Sequence, residues 1–285
     1  MPSEPTTTTE SIDVGEVHLD VALAGPASGP LVVLLHGFPE CKETWAQVQM
    51  RLAQAGFRVA APDMRGYAGS GRPAGVKAYG VEHLVGDVEG LITALGRERA
   101  HVVGHDWGGV VAWWTAMLKP GRVERLGIVN APHPIGYAAA LKTPEQLRHS
   151  WYVFFFQLPL LPELAVRAAD FALARSAFEP DGIPRAEVDR CIDALRPPGA
   201  VEAAIAYYRA QVRASAGGGG PKPAVIDLPV LVVWGLKDRF LVPSLAHPPV
   251  KWVPNAQVVE LENATHWSPV DAAADVAQSL ERFFT

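Results

Sequence analysis

The sequence contains few of the residues that mark several common protein classes. Only two of its 285 residues are cysteines, and neither Cys41 nor Cys191 stands in a CxxC or CxH spacing. A disulfide framework and a zinc site are therefore not predicted. Lysine and arginine number 25 against 30 aspartates and glutamates, a net charge of −5. Without a basic surplus, neither nucleic acid nor an anionic membrane surface is expected as a partner.

Long apolar runs are missing as well. The most apolar stretch, Trp151–Val166, is interrupted by a glutamine, two prolines and a glutamate, which makes it too short and too broken to span a bilayer. We expect this stretch to be buried or to line a pocket. The first ten residues, MPSEPTTTTE, lack the basic start and apolar core of a signal peptide, and a frayed tail is expected there. The cysteine usage fits a reduced cytoplasm, which is the expected location.

Short apolar runs alternate with a helical pattern along much of the chain. The runs end at turn-like residues and are Leu31–Leu35, Val59–Ala61, Val102–Val103 and Val230–Trp234. Continuous apolar runs of this length are typical of strands buried on both faces of a parallel sheet. From Val81 to Leu95, apolar residues recur every three or four positions, as on one face of a helix that Gly96 would end. The alternation predicts a parallel α/β sheet with right-handed crossovers.

The middle of the chain departs from this alternation. Residues 134–223 are helix-like and rich in aromatic side chains, contain no clear buried strand, and end in the flexible sequence AGGGGPKP. Strand-like sequence resumes at Val230. We therefore predict a core domain built from residues 1–133 and 224–285, with a helical cap domain inserted at 134–223.

The motif GHDWGG places Asp106 directly after the apolar run HVV. An aspartate between a strand and a helix is a favoured helix N-cap, which is one interpretation. The flanking Gly104, Gly108 and Gly109 favour another, because a sharp strand–turn–helix elbow that exposes a nucleophile needs missing side chains. A cap alone would not require three glycines.

Two further residues stand in the chain order that is typical of hydrolases with a nucleophile on such an elbow: the nucleophile first, then an acid, then a histidine. Asp238 follows the predicted strand LPVLVVWG, and His266 follows the strand-like AQVVELEN. Both are expected at the carboxyl ends of neighbouring strands, where open α/β sheets form their sites. The sequence therefore predicts a catalytic triad of Asp106, Asp238 and His266.

The motif HGFP at 36–39 adds a possible oxyanion site. A tetrahedral oxyanion needs preorganised N–H donors, and the backbone N–H groups of Phe38 and Trp107 are the expected pair. His36 and His105 are interpreted as structural, since neither is placed to act as the base.

Taken together, HGFPE, DMRGYAGS, GHDWGG, WGLKD and ATHW closely resemble the epoxide hydrolases of the α/β-hydrolase superfamily, from about Ile12 to Thr285. The resemblance implies the α/β-hydrolase fold, with a mostly parallel eight-stranded sheet flanked by helices and an inserted helical cap. An aspartate nucleophile implies attack on an alkyl carbon, as in epoxide hydrolases, haloalkane dehalogenases and fluoroacetate dehalogenases. Some relatives take the triad acid from the preceding strand end, which keeps Asn130 as an alternative to Asp238.

Epoxide hydrolases carry two cap tyrosines that protonate the alkoxide, one in a segment similar to WYVFFFQLP and one in a segment similar to YYR. The resemblance assigns these roles to Tyr152 and Tyr208, with Tyr207 as the alternative to the second. Phe38, Trp107 and the two tyrosines are then the expected substrate contacts. The neighbouring aromatic residues could line the same pocket, although aromatic runs more often belong to a core; they are Trp113, Trp114, Trp151 and Phe154 to Phe156.

The dehalogenase alternatives match the sequence less well. Haloalkane dehalogenases usually have asparagine at the position of Phe38, although an indole N–H such as that of Trp107 would suit a halide. Fluoroacetate dehalogenases resemble GHDRGGR, where this chain has Trp107 and Val110, and their cap tryptophan corresponds to Tyr152. A non-catalytic binding protein on the same fold is the rival outside the enzymes.

The sequence thus predicts that a hydrophobic epoxide is opened to a vicinal diol, with water as the other reactant. Neither a metal nor a cofactor is implied. A monomer and a homodimer both fit the sequence, as do roles in detoxification and in biosynthesis.

Overall fold

Eight strands form one sheet in a computed structural model of the protein, which describes residues 6–285. In chain order the strands are β1 (Thr8–Asp13), β2 (His18–Ala24), β3 (Leu31–Leu35), β4 (Arg58–Pro62), β5 (Ala100–His105), β6 (Val123–Val129), β7 (Val230–Gly235) and β8 (Ala256–Leu261). Their order across the sheet is β1-β2-β4-β3-β5-β6-β7-β8. The pairs β1–β2 and β2–β4 are antiparallel, and all other neighbours are parallel.

Helices connect the parallel strands. Three lie in the first half of the chain: α1 (Ala46–Gln54), α2 (Val81–Ala94) and α3 (Trp107–Leu118). Six lie between β6 and β7: α4 (Pro134–Ala140), α5 (Pro144–His149), α6 (Trp151–Phe155), α7 (Leu161–Arg175, with non-helical backbone at 168–171), α8 (Arg185–Leu195) and α9 (Ala200–Gly217). After β8 follow α10 (Ser268–Asp271) and α11 (Ala273–Phe284). The predicted α/β-hydrolase fold is confirmed, with its eight-stranded, mostly parallel sheet and flanking helices.

The central strands are apolar throughout because both faces of the sheet are covered. Alternate residues of β3 belong to two different core clusters, Val33 and Leu35 to one and Val32 and Leu34 to the other. Helices α2 and α3 pack in the first cluster, whereas α1 and α11 pack in the second. Burial of each such valine or leucine side chain contributes about 1.5–3 kcal/mol to the free energy of unfolding, relative to the same side chain left exposed.

The expectation of a frayed tail is wrong for its last residues. Thr8–Glu10 begin β1 and pair antiparallel with Ala22, Leu23 and their neighbour Val21 on β2. A polar, threonine-rich segment can form such an edge strand because the pairing uses backbone groups, and alternate side chains can face water. Residues 1–5 of the predicted tail lie outside the described residues.

The expectation that Trp151–Val166 is buried or lines a pocket is wrong for several of its side chains, although Trp151, Tyr152, Phe156 and Val166 line a cavity. Large apolar side chains of this stretch are exposed, namely Trp151, Phe154, Leu158, Leu160, Leu161 and Leu164. Only some positions face the interior, among them Phe156 and Val166. The stretch is divided between the short α6, the turn that follows it and the start of α7, and does not form one continuous buried element. None of the helices within residues 6–285 is both long and apolar enough to cross a membrane.

Candidate active site

Asp106 occupies a strained elbow between β5 and α3. Its φ of 49° and ψ of −118° lie in a region that residues with a side chain rarely adopt, at a cost of about 1–3 kcal/mol. The turn is tight enough to exclude side chains nearby. A Cβ on Gly104 would lie 2.1 Å from the carbonyl oxygen of Gly108, and a Cβ on Gly108 would lie 2.1 Å from that of Leu35.

The Asp106 carboxylate does not cap the helix that follows it. It makes no capping hydrogen bond with α3, and its Oδ1 instead accepts a hydrogen bond from the backbone N–H of Phe38 at 2.8 Å. The N-cap interpretation is therefore wrong. Burial raises the pKa of Asp106 above its ordinary value, and the neighbouring His266 and His105 oppose this rise. The elbow presents the carboxylate to a cavity, as a nucleophile would require.

His266 lies between two carboxylates. Its Nδ1 is 2.7 Å from Oδ2 of Asp238, and its Nε2 is 3.8 Å from Oδ2 of Asp106. Asp238 follows β7, His266 follows β8 and Asp106 follows β5, so the three side chains meet at the carboxyl edge of the sheet. The structure therefore brings together the three residues that the sequence predicts as a triad.

The charges of the site favour protonated His266. Burial alone would lower its pKa, but the charge and hydrogen bond of Asp238, with a further contribution from Asp106, raise the pKa of His266 to about 9. Burial would likewise raise the pKa of Asp238, yet His266 and the hydrogen bond from Asn130 hold that pKa below its ordinary value. Asp238 is thus ionised and His266 is charged in the resting site at neutral pH.

This arrangement predicts a pH-dependent stability. The folded-state pKa of about 9 exceeds the ordinary 6.5, so His266 contributes its full stabilisation below pH 6.5 and loses it as the pH rises through 9. We expect this group to contribute about 3 kcal/mol to the free energy of unfolding at pH 6. Denaturant unfolding of wild type and His266→Gln from pH 6 to 9.5 would measure it. A constant difference between the two proteins over this range would contradict the assignment.

Asn130 supports the acid instead of replacing it. Its Oδ1 accepts hydrogen bonds from the backbone N–H of Gly235 at 2.9 Å and from the hydroxyl of Ser268 at 2.7 Å. Those two donors fix the amide so that Nδ2 donates to Oδ2 of Asp238 at 2.8 Å. The other carboxylate oxygen, Oδ1, accepts from the backbone N–H groups of Phe240 and Leu241. The geometry therefore favours Asp238 over Asn130 as the partner of His266.

A cavity of about 230 Å³ lies above Asp106. Its lining is mostly apolar and consists of Phe38, Pro39, Asp106, Trp151, Tyr152, Phe156, Val166, Leu173, Ala174, Ser176, Ala177, Tyr208, Arg239, Phe240, His266 and Trp267. The rings of Tyr152 and Tyr208 are nearly perpendicular, with centroids 5.9 Å apart. Burial and the negative charge of Asp106 raise the pKa of both tyrosines well above the ordinary value. Both are therefore neutral phenols that can donate a proton.

Tyr207 points elsewhere. Its hydroxyl donates to the carbonyl oxygen of Arg65 at 2.8 Å, and its ring packs against Tyr67 and Tyr79. Of the two adjacent tyrosines, only Tyr208 lines the cavity. Trp113 and Trp114 are buried in the core, whereas Trp151 and Phe156 are cavity residues.

The two remaining histidines of the motifs are held by internal hydrogen bonds. Nε2 of His36 accepts a hydrogen bond from the backbone N–H of Met64 at 3.0 Å, and Nδ1 donates to the carbonyl oxygen of Gly37 at 2.8 Å. Nδ1 of His105 lies 2.7 Å from Oε2 of Glu40, and its Nε2 lies 2.8 Å from the carbonyl oxygen of His266. These four contacts agree with the interpretation of His36 and His105 as structural residues.

Sequence reasoning missed several residues of the site. Glu40 is fully buried, and its carboxylate accepts a hydrogen bond from the Gly37 N–H. It stands in the motif HGFPE, but the motif does not show that this residue is buried. Phe240 and Trp267 line the cavity. Their positions two residues after Asp238 and one after His266 are a signal that could have identified them.

Trp107 is the first residue of α3, and the first N–H groups of a helix have no intrahelical partner. The Trp107 N–H is one of these groups. The Phe38 N–H lies in the segment after β3 and donates to the Asp106 carboxylate at the elbow. The side chain of Trp107 packs edge-on against Tyr208, with ring centroids 4.9 Å apart.

Comparison with known proteins agrees with this geometry. Residues 30–273 match the family described as the α/β hydrolase fold, which defines the class of the protein. The AB hydrolase superfamily protein YfhM of Bacillus subtilis is 38% identical over 94% of this chain and 95% of its own length. Epoxide hydrolase 2 of Caenorhabditis elegans is 32% identical over 95% of this chain and 78% of its own.

Solved structures give the same result. The epoxide hydrolase of Bacillus megaterium, crystallised with an inhibitor, superposes with a TM-score of 0.86 and 26% identity, covering 97% of this chain and 99% of that one. The chain belongs to the epoxide hydrolase family of the α/β-hydrolase superfamily. The resemblance stated from the sequence motifs is thereby confirmed.

Proposed function

We propose that the protein hydrolyses an epoxide with apolar substituents to a vicinal diol through a covalent ester on Asp106. The observation that carries the proposal is one apolar cavity lined by a carboxylate, two neutral phenols and a histidine bonded to a second carboxylate. Membership of the epoxide hydrolase family supports the reaction class. The arrangement of these groups supports the ester mechanism.

The first half-reaction is an attack by Asp106 on an oxirane carbon. Oδ1 is bound by the Phe38 N–H, so Oδ2 is the oxygen that forms the new C–O bond while the ring C–O bond breaks. The alkoxide takes a proton from Tyr152 or Tyr208, since an alkoxide in an apolar cavity is costly without a donor. A hydroxyalkyl ester on Asp106 is the product.

Formation of the ester prepares His266 for the second step. The tyrosinate is reprotonated by protonated His266, which becomes a neutral base. The ester also removes the negative charge of Asp106, one of the charges that raise the pKa of His266. Neutral His266 can then take a proton from water, which attacks the ester carbonyl, and the diol leaves with the Asp106 carboxylate and protonated His266 restored.

The tetrahedral intermediate of this second step carries its negative charge on Oδ1 of Asp106. The Phe38 N–H already lies 2.8 Å from that oxygen, and the Trp107 N–H at the start of α3 is the second proposed donor. Preorganised donors of this kind stabilise charge as it develops. Phe38, Tyr152 and Tyr208 line the cavity and are the proposed substrate contacts, whereas the predicted contact Trp107 is not among the lining residues and its ring packs against Tyr208.

The predicted division into a core and a cap domain would place the residues of the site on two domains. We propose that residues 134–223 act as a cap over a core of 1–133 and 224–285, because helices α4–α9 all lie between β6 and β7. The triad then belongs to the core and the two tyrosines to the cap. The substrate would bind between them.

Two substrates separate this proposal from haloalkane dehalogenation. The protein would be incubated with styrene oxide and, separately, with 1-chlorobutane, and diol and chloride would be measured. We expect 1-phenyl-1,2-ethanediol from the epoxide and no enzymatic chloride release. Chloride release without diol formation would replace the proposal with a dehalogenase, and turnover of neither would favour a non-catalytic binding protein.

Asp238→Asn should lower steady-state epoxide turnover by about a hundredfold or more, by analogy with other triads. The reason is that His266 loses the charge that supports its protonated form and the acceptor that fixes its tautomer. Asn130→Ala should have a smaller effect, because Asn130 bonds to Asp238. Near-normal turnover in Asp238→Asn together with a large loss in Asn130→Ala would transfer the acid role.

A further inference from the structure

The two cavity tyrosines are carried by different helices, Tyr152 by α6 and Tyr208 by α9. One side chain ties these helices together. Arg209, the neighbour of Tyr208, donates from Nε to the carbonyl oxygen of Phe156 at 2.9 Å and from Nη2 to that of Leu158 at 2.6 Å. Phe156 is the first residue after α6 and Leu158 is the third, so both carbonyls lie just beyond the C-terminal end of that helix. The guanidinium therefore anchors the helix of one tyrosine to the helix of the other.

Glu163 on α7 completes the arrangement. Its Oε1 accepts from Nη1 of Arg209 at 2.5 Å, and its Oε2 accepts from Nη2 at 3.2 Å. The two side chains are only 12% and 9% exposed. A planar guanidinium presents its donors in a rigid fork, so the two-oxygen pair fixes the direction of every other bond that Arg209 makes.

Phe156 connects this anchor to the reacting groups. Its ring centroid lies 5.0 Å from that of Tyr208, 5.9 Å from that of Tyr152 and 5.6 Å from that of Phe38. Arg209 thus holds the backbone of the residue whose ring packs against both phenols. A displacement of that backbone would shift the phenols relative to each other and to Asp106.

We propose that Arg209, clamped by Glu163, is a positioning residue that aligns Tyr152 and Tyr208 for proton donation in the first half-reaction. The inference rests on the proposed function, since it assigns a step to the two phenols. Proton transfer requires a hydrogen bond to the departing oxygen, and misplacement by about 1 Å can cost about a hundredfold in rate. Ester hydrolysis uses the triad and the backbone N–H groups and should not depend on Arg209.

The test separates the two steps. Ester formation is followed by rapid quench and intact-protein mass spectrometry in a His266→Gln background, and ester hydrolysis is followed in proteins that retain His266. Arg209→Lys keeps the positive charge, but an ammonium group cannot reproduce the planar set of hydrogen bonds that the guanidinium makes to Glu163 and the two carbonyls. We expect this variant to slow ester formation by about tenfold to a hundredfold. Ester hydrolysis should stay within about twofold of wild type. Arg167→Lys is the matched control, because the exposed Arg167 pairs with Glu202 across the same two helices, α7 and α9.

A second comparison tests whether Arg209 acts through the phenols. In Tyr152→Phe/Tyr208→Phe, the slow residual ester formation should not fall further when Arg209→Lys is added. Equal slowing of both half-reactions, or the same slowing with and without the tyrosines, would overturn the inference in favour of a general structural role. Should Arg209→Lys lack a cooperative thermal transition, Glu163→Gln replaces it, since it removes the carboxylate that fixes the guanidinium. The same selective slowing of ester formation is then expected, and ester formation at the wild-type rate would overturn the inference.

The same variants distinguish failure of the inference from failure of the proposed function. If Tyr152→Phe/Tyr208→Phe alone forms ester at the wild-type rate, the proposed role of the phenols is wrong. If that variant is slow but Arg209→Lys is as fast as Arg167→Lys, only the positioning role of Arg209 is wrong.

Discussion

His266→Gln should convert the enzyme into one that stops at the covalent ester. Asp106 supplies the nucleophile and His266 activates water, so losing the imidazole should block only the second half-reaction. We expect steady-state turnover to fall by about a thousandfold or more. Intact mass spectrometry after incubation with styrene oxide should show protein heavier by one whole substrate molecule, and digestion should locate the adduct on the peptide that contains Asp106.

Asp106→Ala is the control for this result and should form no adduct under the same conditions. An adduct on another peptide would move the nucleophile elsewhere. An unmodified His266→Gln protein that still turns over at the wild-type rate would remove His266 from the mechanism.

Tyr152→Phe/Tyr208→Phe should nearly abolish epoxide opening. Each single change should slow ester formation by about tenfold or more, and the double change should remove both of the phenols proposed to protonate the alkoxide. Replacement by phenylalanine keeps the rings that pack against Phe156, so the cavity should keep its shape. Single-turnover ester formation would measure the loss.

Tyr207→Phe is the matched control for the double variant, because Tyr207 is adjacent to Tyr208 in the chain but bonds to the carbonyl of Arg65. Its ester formation should stay close to that of wild type. Epoxide turnover near the wild-type rate in Tyr152→Phe/Tyr208→Phe would show that the tyrosine assignment is wrong.

Much of the sheet, and the meeting of Asp106, Asp238 and His266 at its edge, could be predicted from the sequence. Strands such as Leu31–Leu35 are buried on both faces of the sheet. Every residue of such a strand must be apolar, so the strand is visible in the sequence as a continuous apolar run. Asp106, Asp238 and His266 each follow a strand, and the carboxyl ends of parallel strands meet at one edge. Their convergence therefore follows from topology once the strands are recognised.

Other features depend on how helices lie in space. Tyr207 and Tyr208 are adjacent in α9, so only the rotation of that helix decides which one faces the cavity. The exposure of Trp151 and Phe154 could not be predicted either, because hydrophobicity alone does not tell whether a neighbouring element covers a helix face. The Asn130–Asp238 bond joins two strand ends, and its geometry depends on the exact register of β6 and β7.

Labelling with oxygen-18 distinguishes a covalent ester on Asp106 from direct attack of water on the epoxide. Wild-type protein in excess over styrene oxide would complete a single turnover in oxygen-18 water, and both the diol and the Asp106 peptide would be analysed by mass spectrometry. The ester mechanism predicts an unlabelled first diol, whose new oxygen comes from the carboxylate, and oxygen-18 in Asp106. A labelled diol with unlabelled Asp106 would mean direct attack by water and would contradict the covalent mechanism.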